Sequence, residues 1–144
     1  MILRLSQSKI SPMLITLIPS LTNAQAGHDF IYCRSVQKAA ESIGWKYAAA
    51  VPKTANINPL PTGWSKCLPP QSTLKGNGFS KIKILCSNTT AICRFLYKYA
   101  SSDSIIFLES FTLNFLLAFT FALFWIPKQK LSVWLLYRND QPFI

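Results

Sequence analysis

Residues 103–126 of the chain read DSIIFLESFTLNFLLAFTFALFWI, which is almost wholly apolar. A single helix over this stretch has about the length needed to span a bilayer, but Glu109 then lies inside the span at a high energetic cost. The alternative is a strand over 103–109, apolar on both faces as in the centre of a parallel sheet, and a buried helix over 111–126 that Pro127 ends. We expect the strand and the helix, because this arrangement places Glu109 at a strand end.

The residues before this stretch predict a strand–helix–strand unit. Residues 13–18 are expected to form one apolar strand, and residues 45–51 a second one. An apolar stripe between them repeats at three- to four-residue spacing, which predicts a helix that Gly44 ends. The connection is long enough for a crossover helix, so we expect the two strands to be parallel. The stripe consists of Phe30, Cys33, Val36 or Gln37, Ala40 and Ile43.

The middle of the chain is less regular. Residues 53–80 are rich in proline and glycine and predict a long loop, while residues 81–86 predict a short strand. The Asn-Thr-Thr sequence at 88–90 is expected to cap a helix that runs to Tyr99. A last strand is expected at 131–137.

These elements alternate as strand–helix–strand, loop and helix–strand–helix–strand, an order typical of α/β folds. We predict an open, mostly parallel, Rossmann-like sheet that forms a single lobe. The lobe occupies residues 13–140, after an N-terminal extension at 1–12 and before a tail at 141–144. The length of 144 residues suits one domain.

The charge of the chain is strongly basic. Its net charge is +10, and only five residues are acidic. Half of the residues are hydrophobic, which excludes a fully disordered chain. The basic excess suggests an anionic partner such as a phosphate-bearing ligand or a lipid head group. The basic residues form no Lys/Arg run, so we expect no nucleic-acid partner.

The N-terminus has two interpretations. Arg4 and Lys9 precede an apolar run at 11–21, and Ala-Gln-Ala follows at 24–26, as in a secretory signal with its cleavage site. Two prolines within the run favour the buried strand instead.

The cysteines predict no metal site. Four are present, and none forms a C-x-x-C pair, so a structural zinc site is not expected. We expect buried free thiols, with two disulfides as the alternative for an exported chain. The four are Cys33, Cys67, Cys86 and Cys93.

Candidate binding residues follow three of the predicted strands, because ligands of open α/β sheets bind beyond the carboxyl ends of the strands. Gly27 and His28 precede the first helix, where free backbone N–H groups attract anions; a plain turn with a surface histidine is the alternative. Glu109 is a candidate for binding a sugar hydroxyl. The alternative is that its negative charge interacts favourably with the dipole of the next helix. Arg138 is a candidate for contacting a phosphate, or else it belongs to a solvated turn.

Five segments together resemble the N-terminal domain of the retaining, GT-B-fold glycosyltransferases of the group 1 type. They are Pro-Ser-Leu at 19–21, Ala-Gly-His at 26–28, Ile-Gly-Trp at 43–45, the strand at 103–109 and Val-Trp-Leu-Leu-Tyr-Arg at 133–138. The resemblance covers most of the chain apart from the middle loop.

The resemblance implies one of two Rossmann-like lobes that face each other across a cleft. Gly27 and His28 border the acceptor and the donor phosphates in that arrangement. The C-terminal lobe of the family holds the nucleotide and an acidic E-x7-E element, and this sequence has neither. We therefore expect a truncated, incomplete lobe that is inactive alone, with no cofactor and no catalytic residue of its own.

The expected partners also follow from the resemblance. They are a nucleotide-sugar or an acceptor sugar or lipid, a membrane surface, and a second polypeptide that carries the C-terminal lobe. The expected location is the cytoplasm, at the inner membrane face. The alternative is a small exported or membrane-anchored protein without enzymatic activity, with a hydrophobic helix near 104–126.

Overall fold

The computed structural model describes residues 11–23, 28–70, 77–101, 103–126 and 131–136. Strands and helices alternate along them. In chain order the elements are β1 (Met13–Leu17), α1 (His28–Ser42), β2 (Lys46–Pro52), β3 (Trp64–Leu68), α2 (Gly78–Tyr99), β4 (Ile105–Glu109), α3 (Leu113–Trp125) and β5 (Ser132–Leu136).

The strands form one open, five-stranded sheet in the order β3-β2-β1-β4-β5, and every pair of neighbours is parallel. The α/β class and the Rossmann-like sheet predicted from the sequence are therefore confirmed. The chain winds outward from β1 in one direction through β2 and β3. It then returns through α2 to place β4 on the other side of β1, so the winding direction reverses between β1 and β4.

Helices cover both faces of the sheet, as a parallel sheet requires. On one face α2 and α3 pack against alternate strand residues, and the buried cluster there includes Ile15, Leu17, Leu96, Ile106, Leu108 and Phe115. On the other face α1 covers a second cluster, which includes Ile18, Cys33, Ala49, Val51 and Trp64. The alternation of side chains along β1 divides its residues between these two clusters.

Residues 103–126 form a strand and a separate helix, as predicted. β4 pairs with β1 from Leu14↔Ile105 to Leu17↔Leu108. Thr112 caps α3, because its side chain accepts a hydrogen bond from the backbone N–H of Phe115 at 3.2 Å. Within the part of the chain that the structure describes, no helix combines the length and apolar character needed to cross a membrane.

The predicted loop at 53–80 contains a strand that the sequence pattern did not indicate. Among the described strands, β3 pairs only with β2 and forms an edge of the sheet. Its ends, Trp64 and Leu68, are buried, but Ser65, Lys66 and Cys67 between them are polar or half-exposed. An edge strand this short and polar carries no clear apolar alternation, so the prediction of a continuous loop was wrong at this point.

The predicted strand at 81–86 and the predicted cap at 88–90 were also wrong. α2 begins at Gly78, and the Asn77 side chain caps it by accepting a hydrogen bond from Ser80 N at 3.2 Å. Thr89 and Thr90 instead donate their hydroxyls to carbonyls one turn earlier, as threonines inside a helix do. Residues 78–83 at the start of α2 are all exposed, the apolar Phe79 and Ile82 included, so no buried apolar stripe marks the helix there.

Two glycines have left-handed backbone conformations that end elements. Gly44 (φ 79°) ends α1, as predicted. At this helix end, Gly44 N donates to Glu41 O and Trp45 N donates to Ala40 O. Gly63 (φ 83°) occupies the third position of the turn that leads into β3. A Cβ atom on Gly63 would lie 2.7 Å from the backbone oxygen of Tyr47.

Replacing these glycines is expected to give a graded loss of stability. Gly63→Ala combines a strained φ with a clash against the β2 backbone and should cost more than about 2 kcal/mol. Gly44→Ala meets no atom within 4 Å and should cost only the strain, about 1–2 kcal/mol. Gly78→Ala lies in open space with ordinary helical geometry and is the matched control. Urea unfolding of the three variants measures the order, and equal losses for Gly63→Ala and Gly78→Ala would contradict it.

Candidate functional site

The candidate site is the edge of the sheet at which β1 and β4 end, called here the switch-point edge. It comprises residues 18–23 after β1, the start of α1 at His28, and residues 110–112 after β4. β1 connects to α1 on one face, and β4 connects to α3 on the other. In open α/β sheets, neighbouring loops that run to opposite faces have a crevice between them, and ligands bind in that crevice.

The segment after β1 is held in place by hydrogen bonds. The Ser20 hydroxyl donates to Asp29 Oδ2 at 3.3 Å, which ties the turn after β1 to the first turn of α1. The backbone N–H of Asn56 donates to the carbonyl of Thr22 at 2.7 Å. This side of the switch-point edge is therefore fixed to α1 and to the chain after β2.

The segment after β4 contains an unusual backbone conformation. Ser110 has a φ of 49°, which non-glycine residues seldom adopt and which costs of order 1 kcal/mol or more. This conformation turns the chain out of β4 so that Thr112 can cap α3. The first turn of α3 therefore presents its backbone N–H groups at the same edge of the sheet as the first turn of α1.

A buried polar cluster lies beneath the switch-point edge, between the sheet and α1. Cys33 of α1 and Glu109 of β4 have no exposed surface, and the Cys33 thiol donates a hydrogen bond to Glu109 Oε2 at 3.1 Å. The fully buried Thr16 and the buried Tyr47 belong to the same cluster. The hydroxyls of Thr16 and Tyr47 lie near each other in this cluster.

Tyr47 is electrostatically perturbed by this setting. Burial raises the pKa of the Tyr47 hydroxyl well above its ordinary value of about 10. The nearby Thr16 hydroxyl and Arg34 lower this pKa, whereas Cys33 and Glu109 raise it, and burial dominates. The neutral phenol is therefore strongly preferred in the folded protein.

A second polar network holds the far side of α1 against β3. Gln37 is almost fully buried, and its Oε1 accepts hydrogen bonds from Trp64 Nε1 at 2.8 Å and Arg34 Nη1 at 2.6 Å. Its Nε2 donates to Glu41 Oε1 at 2.8 Å and to the carbonyl of Thr62 at 2.9 Å. Every hydrogen-bonding position of the Gln37 amide is thus used. The sequence pattern indicated either Val36 or Gln37 as a member of the apolar stripe. It did not predict that Gln37 is a buried residue whose amide forms this hydrogen-bond network.

The four predicted site residues have different outcomes. His28 is exposed at the first position of α1, on the switch-point edge. Glu109 ends β4 as predicted, but α1 covers its carboxylate, and Thr112 rather than Glu109 caps the next helix. Gly27 and Arg138 lie outside the described residues. The binding roles given to all four stay predictions.

The cysteines are free thiols. Cys33 is buried as expected, Cys67 and Cys93 are half-buried, and Cys86 is exposed. In the described ranges, no three side chains of the His, Cys, Asp or Glu types gather where they could hold a metal ion.

Comparison of the chain with protein-family models, with curated proteins and with solved structures found no match. Its class therefore rests on the sheet alone: an α/β protein with an all-parallel, Rossmann-like lobe.

Replacing Tyr47 with phenylalanine should change how stability depends on pH. Because burial raises the pKa of Tyr47, ionisation of this group costs the folded state no stability below about pH 10, and stability falls as the pH rises from there towards the folded-state pKa. Tyr47→Phe should leave stability at neutral pH unchanged or raise it by up to about 1 kcal/mol, because a buried hydroxyl is removed. Urea unfolding at about pH 8 and about pH 11 should show a smaller alkaline loss in the variant. Parallel losses in both proteins would contradict the assignment.

Gln37→Leu should destabilise the protein by about 1–3 kcal/mol. The change leaves the buried Trp64 indole N–H without its partner and removes the hydrogen bond to the Thr62 carbonyl. Lys38→Leu, an exposed position on the same helix, is the matched control and should change stability by less than about 0.5 kcal/mol. Thermal unfolding of the two variants measures the difference, and an unchanged midpoint for Gln37→Leu would show that the network contributes nothing.

Proposed function

We propose that this chain is the N-terminal lobe of a glycosyltransferase that uses a nucleotide-sugar donor, and that it needs a facing lobe for activity. The observation that carries the proposal is the reversal of winding between β1 and β4, with His28 and Ser110 on the edge where it occurs. The all-parallel, single-lobe sheet and the five segments that resemble the group 1 enzymes support it. A further segment or a second polypeptide supplies the facing lobe.

The proposed contact with the donor or acceptor is electrostatic. The first turn of α1 offers backbone N–H groups and the positive end of the helix dipole to a phosphate. His28 stands at that turn as an exposed imidazole, whose ring N–H can donate a hydrogen bond to an anion. The net charge of +10 favours the approach of a phosphorylated ligand. Gly27 and Arg138 complete the proposed binding set.

Glu109 has a revised role in this proposal. Its carboxylate accepts the hydrogen bond of the buried Cys33 thiol, so it links β4 to the second turn of α1. We propose that this link positions the start of α1, and with it His28, relative to the loop after β4. Glu109 then affects the donor through the position of α1 and not through a direct contact.

A membrane surface is the proposed place of action. α3 leaves an apolar stripe exposed along one side, composed of Leu113, Leu117, Phe121 and Phe124. Exposed apolar patches of this kind mark contact surfaces for partners or membranes. An acceptor carried on a lipid at the inner membrane face would bring the chain and its substrate together.

An NMR titration tests the proposed ligand edge. UDP-glucose and GDP-mannose are added separately to the ¹⁵N-labelled chain, with free glucose as the control for the sugar alone. The amide signals of residues 28–30 and 110–115 should shift, with a dissociation constant of about 1 mM for a lone lobe. His28→Ala should weaken the binding by about three- to tenfold.

Lys46→Ala is the matched control, because Lys46 is an exposed cation at the opposite, amino edge of the sheet. It should leave the titration unchanged. Shifts confined to other surfaces, or equal weakening by the two variants, would count against the proposal.

A further inference from the structure

A pocket lies between α2 and the edge strand β3, on the face of the sheet opposite to α1, and is called here the α2–β3 pocket. Its volume is about 550 Å³, which falls in the usual range of small-molecule sites. Three cationic residues line it: Lys53, which directly follows β2, and Arg94 and Lys98 from α2. None of the described residues that line the pocket is acidic.

The three cations converge on one place although they are distant in sequence. Arg94 and Lys98 are four residues apart on α2 and therefore share one side of the helix. Burial raises the pKa of the Cys67 thiol on β3, while Lys53 and Lys98 both lower it. Both ammonium groups are therefore within electrostatic reach of the same sulfur atom, and both residues line the pocket.

Hydroxyl groups complete the polar wall of the pocket. The hydroxyls of Ser65 and Tyr99 lie 3.4 Å apart, and the Lys98 Nζ lies 4.9 Å from the centre of the Tyr99 ring. The Ser65 hydrogen bond and the charge of Lys98 lower the pKa of Tyr99. The Thr90 side chain also lines the pocket, next to Arg94 along the helix.

This arrangement suits a bound anion better than an empty surface. Like charges at neighbouring helix positions destabilise a helix, and Arg94 and Lys98 have no carboxylate in the pocket wall to offset their repulsion. A phosphate group, with a charge of about −2, offsets most of this positive charge, and a diphosphate offsets more of it. Arginine also donates two parallel hydrogen bonds to phosphate oxygens, which gives such a site geometric selectivity.

We propose that the α2–β3 pocket binds a small molecule that carries a phosphate or diphosphate group. Arg94, Lys98 and Lys53 contact the phosphate oxygens, and Phe95 and Pro69 on the pocket wall contact the organic part of the ligand. The pocket lies at β3, the outer strand two positions from β1, and on the face of the sheet opposite to α1. It is therefore separate from the switch-point edge. The inference is independent of the proposed transferase function.

Titration calorimetry with pyrophosphate tests the proposal. The full chain should bind pyrophosphate, and Arg94→Gln should weaken the binding by about tenfold or more, as loss of a charged hydrogen-bonding group does. The double variant Arg94→Gln/Lys98→Gln should show no measurable binding. Arg94→Lys keeps the charge and the helix and should retain part of the affinity, so the test survives if a glutamine variant unfolds.

Lys38→Gln is the matched control, since it removes one exposed charge from α1 on the other face of the sheet. It should change the affinity by less than about twofold, apart from the general effect of net charge.

Equal weakening by Lys38→Gln and Arg94→Gln overturns the proposal, as does unchanged affinity in the double variant. Vesicles of phosphatidylserine are tested in parallel. Binding to vesicles that depends on Arg94, without binding to pyrophosphate, also overturns the proposal and assigns the surface to a membrane.

Discussion

The position of β1 between two parallel neighbours is the constraint on which the rest of the structure depends. β1 pairs with β2 on one side and with β4 on the other, and its buried side chains divide between both faces of the sheet. A parallel pair cannot be joined by a tight turn, so each pairing requires a long crossover. The crossover to β2 contains α1, and the crossover to β4 contains α2. Both faces are therefore covered, and the loops separate at the carboxyl ends of β1 and β4.

Polar groups under α1 then fix how that helix lies on the sheet. Apolar packing alone tolerates small shifts of a helix, whereas buried hydrogen bonds have narrow limits of distance and direction. Gln37 ties α1 to β3, and Cys33 ties it to β4 through Glu109. Cys33 and Gln37 share one side of α1, but their partners belong to strands on either side of β1, so the two contacts together restrain the direction in which α1 crosses the sheet. The start of α1 at the switch-point edge depends on them.

Much of this fold could be predicted from the sequence, because the central elements are strongly patterned. β1, β4 and α3 are apolar runs bounded by proline or by a polar residue, and Gly44 ends α1 where expected. β3 could not be predicted, because only its two end residues are buried. The three residues between them therefore show no apolar alternation that would indicate a strand. The start of α2 was missed for a similar reason, since its first turns make few apolar contacts.

The site was predictable only in part. The order of the elements alone predicts that His28 and Glu109 lie at the carboxyl edge of the sheet, because each is at a junction between a strand and the following helix. The burial of Glu109 depends on where α1 crosses the sheet, which no local pattern records. The α2–β3 pocket unites Lys53 with Arg94 and Lys98 across about forty residues of sequence, and only the pairing of β3 with β2 reveals it.

The most direct test of the account is the pairing of β1 with β4, measured by NOEs between backbone protons in the isotope-labelled chain. The account predicts cross-strand NOEs that pair Leu14 to Leu17 with Ile105 to Leu108 in parallel register, and helical amide–amide NOEs that begin only after Thr112. Continuous helical NOEs through 104–126, without contacts to residues 13–17, would contradict it. That result would replace the sheet with one long apolar helix and would remove the switch-point edge.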